Sequence, residues 1–418
     1  MTTTRGSTRS LEIWAQAQTL RVALIAPPTA AVPPASLGGL EQVRWLAEGL
    51  AERGHQVTLI GAGLGGMTTG AYSVIDTDPT DGQRANPEIV ERLHAEQAGK
   101  VLEQLGPVDV VSDHTRTGWQ PPDGQAVHPP TVQTSYRPLA GVWEPAPKVA
   151  GHLGWVAVSE QQRRTTPDIG WVEVIHPGIP VGEHPLERDH AGPCVYVGPL
   201  LDSHGAGLAV AAAHRAGWSI VLAGTRPGAR ATAYAEVELR PRLADGDELL
   251  ESVSLLERWE LLAGASCLVA PLHPQTPFSL EIVEAMAYGT PVVTTVGTVG
   301  AELVRHGESG LVVDDPTLLA SALGRTERLD PRRVRAYAAS RFDLVGMVSA
   351  YEWLLRRLVR AGAAVAADCR QEHRRADQAT AWATSGRQLG IGRPVGRRSD
   401  LSRSVGGVGG APGDAPEP

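Results

Sequence analysis

The sequence contains only three cysteines among its 418 residues, Cys194, Cys267 and Cys369. They are widely spaced, and no CxxC pair or cluster of cysteine and histidine accompanies them. Neither a disulfide framework nor a structural zinc site is therefore indicated. The reducing cytoplasm is the compartment that this cysteine usage fits best.

Positive charge is also in short supply. Lys and Arg total 38 against 46 Asp and Glu, which gives a formal net charge of −8. This balance argues against a broad surface for nucleic acid or anionic lipid, so any anion-binding site must be local. The charge bears on solubility and partners and leaves the oligomeric state unpredicted.

Long hydrophobic runs are missing as well. The first strong apolar run, from Val22 to Ala26, is too short for a signal peptide or a membrane span, so a soluble protein without a transmembrane segment is expected. Residues 1–19 are predicted to form a flexible leader. Residues 362–418, rich in Gly, Arg, Ser and Ala without a sustained period, are predicted to form a disordered tail.

Between these ends, short apolar runs alternate with helical patterns. Hydrophobic residues make up 42% of the chain, enough for a substantial core, and the length suits two or three domains. The first series contains the predicted strands RVALIA, QVTLIGA, VDVVSDH, TVQTSY, WVAVS and VEVIH, with helices over LEQVRWLAEGLAERG and PEIVERLHAEQAGKVLEQLG. Such βαβ spacing predicts a parallel sheet with right-handed crossovers.

The alternation starts again after a proline-bearing stretch at residues 182–193. Predicted strands CVYVG, SIVLAG, SCLVAP, PVVTT and GLVV accompany helices over Gly205–Ala216 and Leu280–Tyr288. The fold class is therefore α/β, with two doubly wound Rossmann-like domains over residues 20–183 and 184–343 and a ligand cleft at their strand ends. An amphipathic helix over residues 344–361 should pack back on the body.

Two segments of the first half could carry chemistry. Gly38 and Gly39 stand directly before a helix, where free N–H groups and the helix dipole can bind phosphate. The alternative is an ordinary turn from strand to helix. His114 follows a buried strand at its carboxyl end, where it either bonds sugar hydroxyls or serves as a structural histidine.

Two acids of the second half are also candidates. Glu284 lies one turn into the predicted helix of PFSLEIVEAMAYGTPVV, where it could accept hydroxyls of a ribose or stand as a solvated acid favoured by the helix dipole. Glu302 follows Gly297 and Gly300 at another junction of loop and helix. It could order a loop over the cleft, or it could belong to a plain glycine-rich turn.

Taken in order, these segments resemble the GT-B glycosyltransferases of the retaining group that includes glycogen synthase-like and phosphatidylinositol mannosyltransferase-like enzymes, the glycosyl transferases group 1. The similarity spans roughly residues 20–360. It is carried by APPTAAVPPASLGGLEQVRWLAEGLAERGHQVTLIG, VVSDHT, WVAVSEQQR, VIHPGI, PFSLEIVEAMAYGTPVV and GESGLVVDD.

The resemblance implies transfer of a sugar, with retention of configuration, from a nucleotide-diphosphate donor to an acceptor that the sequence does not identify. It also implies a role for each candidate residue. Gly38 and Gly39 would approach the diphosphate, and His114 would contact the donor sugar. Glu284 would hold the ribose, and Glu302 would order the phosphate loop. The helix start at Ser279 and Leu280 is expected to contact the nucleotide. No cofactor and no metal are expected.

The chain departs from the family pattern where the donor binds. The family's GRxxxxKG stretch reads GPLLDSHG here, which puts Pro199 at the arginine position and His204 at the lysine position. The first of the paired family glutamates falls on Thr276, and a family glycine falls on Ser279. His204 and Thr276, with His114, are the candidate catalytic residues.

These departures leave two interpretations of function. In the first, the protein is an active glycosyltransferase whose missing cations are replaced, with Arg137, Arg226 and Arg230 as candidates because arginine binds phosphate with two hydrogen bonds. In the second, it is an inactive glycosyltransferase-like scaffold, since a fold does not guarantee its usual activity. A sugar-nucleotide epimerase of the same architecture fits the motifs less well.

Overall fold

Two parallel β-sheets with helices on their faces form the body of the protein. The computed structural model describes residues 19–28, 38–61, 73–76, 87–119, 128–138, 152–183, 186, 192–226, 228–251 and 253–362. The predicted flexible leader and disordered tail therefore lie, but for their innermost residues, outside the described part of the chain.

The N-terminal sheet has seven parallel strands in the order β3-β2-β1-β4-β5-β6-β7. Its strands are β1 (Arg21–Ile25), β2 (Gln56–Gly61), β3 (Ser73–Asp76), β4 (Val110–Asp113), β5 (Thr131–Thr134), β6 (His152–Ala157) and β7 (Trp171–Val174), and its helices are α1 (Gly38–Glu52), α2 (Pro87–Gln104) and α3 (Glu160–Thr165). Strands such as β4 and β5 are buried along their whole length because helices cover both faces of the sheet.

The C-terminal sheet has six parallel strands in the order β10-β9-β8-β11-β12-β13. Its strands are β8 (Cys194–Val197), β9 (Ile220–Gly224), β10 (Glu248–Glu251), β11 (Leu268–Ala270), β12 (Val292–Thr295) and β13 (Gly310–Val313), and its helices are α4 (Ala206–Ala216), α5 (Gly228–Tyr234), α6 (Leu255–Gly264), α7 (Leu280–Tyr288), α8 (Gly300–Leu303), α9 (Leu319–Leu323) and α10 (Pro331–Phe342). The fold prediction of two doubly wound α/β halves is confirmed.

A last helix, α11, covers residues 344–362 and returns to the N-terminal sheet. Its buried side chains Met347, Val348, Tyr351, Leu354, Leu355 and Leu358 join the same core cluster as residues of β1, β2 and α1. The chain therefore crosses from the C-terminal half back to the N-terminal half before the described residues end.

One outer strand of each sheet, β3 and β10, was not predicted. Both are short, and ELLE in β10 carries only two apolar residues between acids. A short edge strand with charged residues has little hydrophobic pattern. The opposite outer strands, β7 and β13, were predicted because their sequences are rich in apolar residues.

Close backbone packing shapes the strand ends of the C-terminal half. A Cβ atom added to Gly224, the last residue of β9, would lie 2.0 Å from the carbonyl oxygen of Gly198, which follows β8. Gly198 itself has φ of 151°, a conformation that side chains other than hydrogen rarely allow. These two glycines bring the carboxyl ends of β8 and β9 together at the floor of the cleft.

Candidate functional site

A cavity of about 670 Å³ lies between the carboxyl ends of the two sheets, within the range of volumes that bind small ligands. The N-terminal half contributes residues at the ends of β1, β4 and β5 together with the start of α1. The C-terminal half contributes residues at the ends of β8, β9 and β11 together with the start of α7. Its lining includes Gly39, His114, Thr115, Arg116, Tyr136, Arg137, Gly198, Pro199, His204, Arg258, His273, Thr276, Ser279, Leu280 and Glu281.

His114 lies directly after β4 and lines the cavity, although it is almost fully buried. Its Nε2 atom is 3.0 Å from Ser112 Oγ, and its Nδ1 atom is 3.1 Å from the hydroxyl of Tyr136. Burial lowers the pKa of His114 to about 3, so the imidazole is neutral at physiological pH. The residue is thus both a satisfied buried histidine and a wall of the cavity.

Tyr136 connects His114 to the start of α1 and to α11. Its ring is stacked on the His114 ring with centroids 5.8 Å apart, and a Cβ atom on Gly39 would lie 3.5 Å from Tyr136 Cδ2. Tyr351 of α11 packs against His114 from another side at 5.7 Å, and its hydroxyl is 3.1 Å from Thr134 Oγ1. Gly38, the other predicted glycine, is the first residue of α1.

The start of α7 forms the C-terminal wall. Ser279 is the residue before the helix and makes no side-chain cap; its hydroxyl donates instead to Glu281 Oε2 at 3.0 Å. The first backbone N–H groups of a helix have no partners within it, and here the residues that carry them, Leu280 and Glu281, line the cavity. The predicted residues Thr276, Ser279 and Leu280 therefore share one wall, and its helix end suits an anion.

His204 and Pro199, which occupy the expected positions of two permanent cations, both line the cavity. The His204 ring is stacked at 6.1 Å on that of His273, a cavity residue that the sequence analysis did not identify. Burial lowers the pKa of His204, and the neighbouring His273 lowers it further. His273 Nδ1 accepts the backbone N–H of Gln275 at 3.1 Å, so the ring proton lies on Nε2, which can donate a hydrogen bond.

Glu284 does not line the cavity; Arg258 does. The Nη2 atom of Arg258 in α6 donates to Glu284 Oε1 at 2.6 Å, and Trp259 Nε1 donates to the same oxygen at 3.2 Å. Glu284 is 2% exposed, so the interpretation of this residue as a solvated first-turn acid is wrong. No local sequence pattern identifies Arg258 as a site residue, because its partner Glu284 lies 26 residues away.

Glu302 joins the two halves of the protein. Its carboxylate accepts the backbone N–H groups of Glu160 and Gln161 at the start of α3, each at 2.8 Å, and lies 2.7 Å from His176 Nε2. These hydrogen bonds outweigh burial and lower the pKa of Glu302. Among the predicted site residues, Glu302 and Glu284 are the two acids that stand outside the cavity lining.

The candidate replacement cations fall in different places. Arg137 lines the cavity from the N-terminal half. Arg226 pairs with Glu236 and Glu251, and neither it nor Arg230 lines the cavity. The C-terminal wall therefore receives its arginine from α6, where Arg258 lies on a helix fixed by a capping box.

Neither a metal-binding cluster nor a membrane-spanning helix occurs in the described part of the chain. Within that part of the chain, no group of three or more His, Cys, Asp and Glu side chains is arranged to hold a metal ion. The helices within it are all too short or too polar to cross a membrane.

Residues 194–327 match the family model described as glycosyl transferases group 1. No curated protein matched the chain. Of the solved structures, AviGT4, a glycosyltransferase involved in avilamycin A biosynthesis, is 23% identical, with 82% of this chain and 98% of that chain covered and a TM-score of 0.62.

Two further solved structures show the same arrangement. Sucrose-phosphate synthase from Thermosynechococcus elongatus is 18% identical over 81% of this chain and 99% of that chain, with a TM-score of 0.63. HepE from Anabaena, in complex with UDP-glucose, is 16% identical over 80% of this chain and 99% of that chain, with a TM-score of 0.56. The protein therefore has the GT-B fold, and its C-terminal half matches the glycosyl transferases group 1 model.

Proposed function

We propose that this protein is a cytoplasmic glycosyltransferase of carbohydrate metabolism that moves a sugar from a nucleotide-diphosphate donor to an acceptor, with retention of configuration. One observation carries the proposal. The segment that matches the glycosyl transferases group 1 model, residues 194–327, places its strand ends and the open start of α7 on the cavity between the halves.

The C-terminal wall is suited to the donor's diphosphate. The start of α7 at Ser279 and Leu280 offers backbone N–H groups, and His204 and His273 offer imidazoles from the loops that follow β8 and β11. Charge accumulates on the diphosphate as the glycosidic bond breaks, and fixed N–H donors stabilise that charge without the need for a metal. Gly38 and Gly39 at the start of α1 approach the same diphosphate from the opposite half.

The N-terminal wall is suited to the sugar and the acceptor. His114 is neutral, so it can bind a sugar hydroxyl, in place of its contact with Ser112 or Tyr136, without adding charge near the reacting carbon. Thr276 faces the same space from the C-terminal half and supplies a hydroxyl where the resemblance expects a carboxylate. Glu302 acts at a distance by holding α3 against the C-terminal half.

A donor-hydrolysis assay tests this function before the acceptor is known. The protein is incubated with UDP-, GDP-, ADP- and TDP-glucose, and release of the nucleoside diphosphate is measured together with the anomer of the first free sugar by proton NMR. We expect slow release from one donor, with the released glucose in the α configuration of that donor. In His114→Ala, release should fall at least about tenfold while donor affinity changes little.

The inactive scaffold remains the second candidate, because Pro199 and Thr276 stand where the family places an arginine and a glutamate. Binding of a nucleoside diphosphate without any sugar release from its glucose conjugate would favour the scaffold. Release that persists unchanged in His114→Ala would remove His114 from the reaction. Release of the opposite anomer would contradict retention.

A further inference from the structure

The C-terminal wall of the cavity contains a nearly buried ion pair. The side chains of Arg258 and Glu284 are 11% and 3% exposed, and their closest atoms are 2.6 Å apart. Burying two charges is unfavourable unless other polar contacts compensate, so such a pair is a weak device for stability alone. Its position on the cavity wall suggests a second purpose.

The pair leaves hydrogen-bonding capacity unused. Nη2 of Arg258 donates to Glu284, whereas its Nε atom has no partner and its other terminal nitrogen makes no hydrogen bond within the described part of the chain. A guanidinium carries five N–H donors in a rigid fork. Nε is itself buried, so Nη1 is the donor group left for a ligand. One edge of the fork is therefore fixed by Glu284, while Arg258 lines the cavity.

The surrounding elements hold this fork rigidly. Arg258 lies in the first turn and a half of α6, where Ser254 and Glu257 form a reciprocal capping box. Glu284 lies in α7 with every residue from Ile282 to Tyr288 buried. An arginine whose rotamer is fixed in advance loses less conformational entropy when it binds a ligand.

We propose that Arg258, held in place by Glu284, donates hydrogen bonds to oxygen atoms of the bound nucleotide. This inference rests on the proposed function. It makes Glu284 a positioning residue for Arg258, in place of the ribose contact that the resemblance implies. Oxygen acceptors are present on both the phosphates and the nucleoside. Both kinds of oxygen can accept the hydrogen bonds that a guanidinium donates.

The charges nearby favour this assignment. Glu281 also lines the wall, and its carboxylate would repel a diphosphate if Arg258 were absent. Burial lowers the pKa of Arg258, but the neighbouring Glu284 and Glu281 together outweigh it and raise that pKa, so the guanidinium keeps its charge at neutral pH. Of the described cavity residues from the C-terminal half, Arg258 is the one with a permanent positive charge.

The test compares four variants by isothermal titration: Arg258→Gln, Glu284→Gln, the double variant, and Arg226→Gln as the matched control. Gln at position 258 can still donate to Glu284, which limits the loss of stability. Arg226 belongs to the same half and is ion-paired, but lies outside the cavity lining. The ligands are UDP, GDP, ADP and TDP, followed by the nucleoside that matches the tightest of them.

We expect Arg258→Gln to weaken the preferred nucleoside diphosphate about 10- to 100-fold, the range for a charge-assisted hydrogen bond, and Arg226→Gln to leave it unchanged. Glu284→Gln should also weaken binding, and the double variant should bind no worse than Arg258→Gln. If the nucleoside loses affinity by the same factor, the contact is to the nucleoside. If the nucleoside is unaffected, the contact is to a phosphate.

Two results would overturn the proposal. The first is binding by folded Arg258→Gln within twofold of the natural protein. The second is a double variant whose losses add, because Glu284 would then contact the nucleotide on its own. If the natural protein binds none of the four diphosphates, the proposed function itself fails and this inference falls with it.

Discussion

Among the single residues of the cavity, His204 is expected to make nucleotide binding depend on pH. The Nδ1 atom of His204 is 3.1 Å from Ser203 Oγ. This hydroxyl can accept a hydrogen bond from a protonated ring nitrogen or donate one to an unprotonated ring nitrogen. His204 can therefore gain a proton without losing this contact. His273 would lose the N–H bond from Gln275 if its Nδ1 were protonated.

This difference leads to a prediction about nucleotide affinity. In the free protein the pKa of His204 is lowered below 6.5, so it adds no charge at neutral pH. A bound diphosphate raises that pKa, so binding takes up a proton and must tighten as the pH falls from 8 to 6. Isothermal titration at these pH values should show tighter binding at pH 6 in the natural protein.

The control for this prediction is His204→Gln, measured with the same nucleotide because the phosphate itself titrates near pH 6. In this variant, the change of nucleotide affinity with pH should shrink to the part that comes from titration of the phosphate. An unchanged pH profile in this variant would show that another group takes up the proton.

Sequence motifs predicted some of the residues that line the cavity and did not predict others. Thr276, Ser279 and His204 line the cavity as their places in the motifs suggested. Arg258 was not identified, since one arginine in an amphipathic helix has the pattern of a solvated residue. Only the folded arrangement brings α6 beside α7 and pairs Arg258 with Glu284.

At the scale of elements, α11 supports the N-terminal wall from behind. Tyr351 is buried at the centre of its contact with the sheet, beside His114, while Trp353 on the same helix is 54% exposed. The helical spacing of apolar residues predicted this packing. It did not indicate that Tyr351 would reach the ring of a candidate site residue, because residues 114 and 351 are so far apart in sequence.

Removing the buried ring should therefore destabilise the fold. Tyr351→Ala is expected to lower the free energy of unfolding by about 3–5 kcal/mol, the range for deleting a buried aromatic side chain. Urea denaturation checks this value. Trp353→Ala is the matched control on α11, and its effect should stay below about 1 kcal/mol; equal losses in the two variants would contradict the described packing.

Glu302 contributes several of the contacts between elements of different halves. Glu302→Ala leaves two N–H groups of α3 and His176 without their acceptor, which should lower the free energy of unfolding by about 1.5–3 kcal/mol. Glu308→Ala is the control, because its pair with Arg305 is exposed and should contribute less than about 1 kcal/mol.

The pH dependence of this contribution has a definite sign. The pKa of Glu302 is lowered from its ordinary value of 4.5, so its stabilisation is complete above that pH and is lost as the pH falls through the folded-state pKa. Below pH 4.5, the free energy of unfolding of the natural protein, measured by urea denaturation, should approach that of Glu302→Gln. A stability difference that persists unchanged at pH 3 would show that ionisation of Glu302 is not its source.

Local sequence pattern predicts the bounds of some helices and strands well and misses others. The helix predicted over Leu280–Tyr288 is observed with those bounds. The helix predicted from Gly205 begins at Ala206, because Gly205 adopts φ of 83° and cannot continue a right-handed helix. The edge strands β3 and β10 were missed, since SVID and ELLE carry few apolar residues, whereas the edge strands β7 and β13 were predicted from their apolar runs.

At the scale of the whole molecule, the repeated alternation of strands and helices was enough to predict two doubly wound halves. Parallel strands buried on both faces and joined by helices leave few other topologies. The cavity follows from that topology, because ligands bind at the carboxyl ends of such strands. Its chemistry does not follow, since Arg258, His273 and Glu302 acquire their contacts only through tertiary packing.

The proposed function requires this cavity to bind a nucleoside diphosphate, although Pro199 and His204 stand where the resemblance places two cations. Isothermal titration of the natural protein with UDP, GDP, ADP and TDP measures that binding. We expect one of them to bind with a micromolar Kd. No detectable binding of any of the four would show that the cavity is not a nucleotide site, and the inactive scaffold would then be the better interpretation.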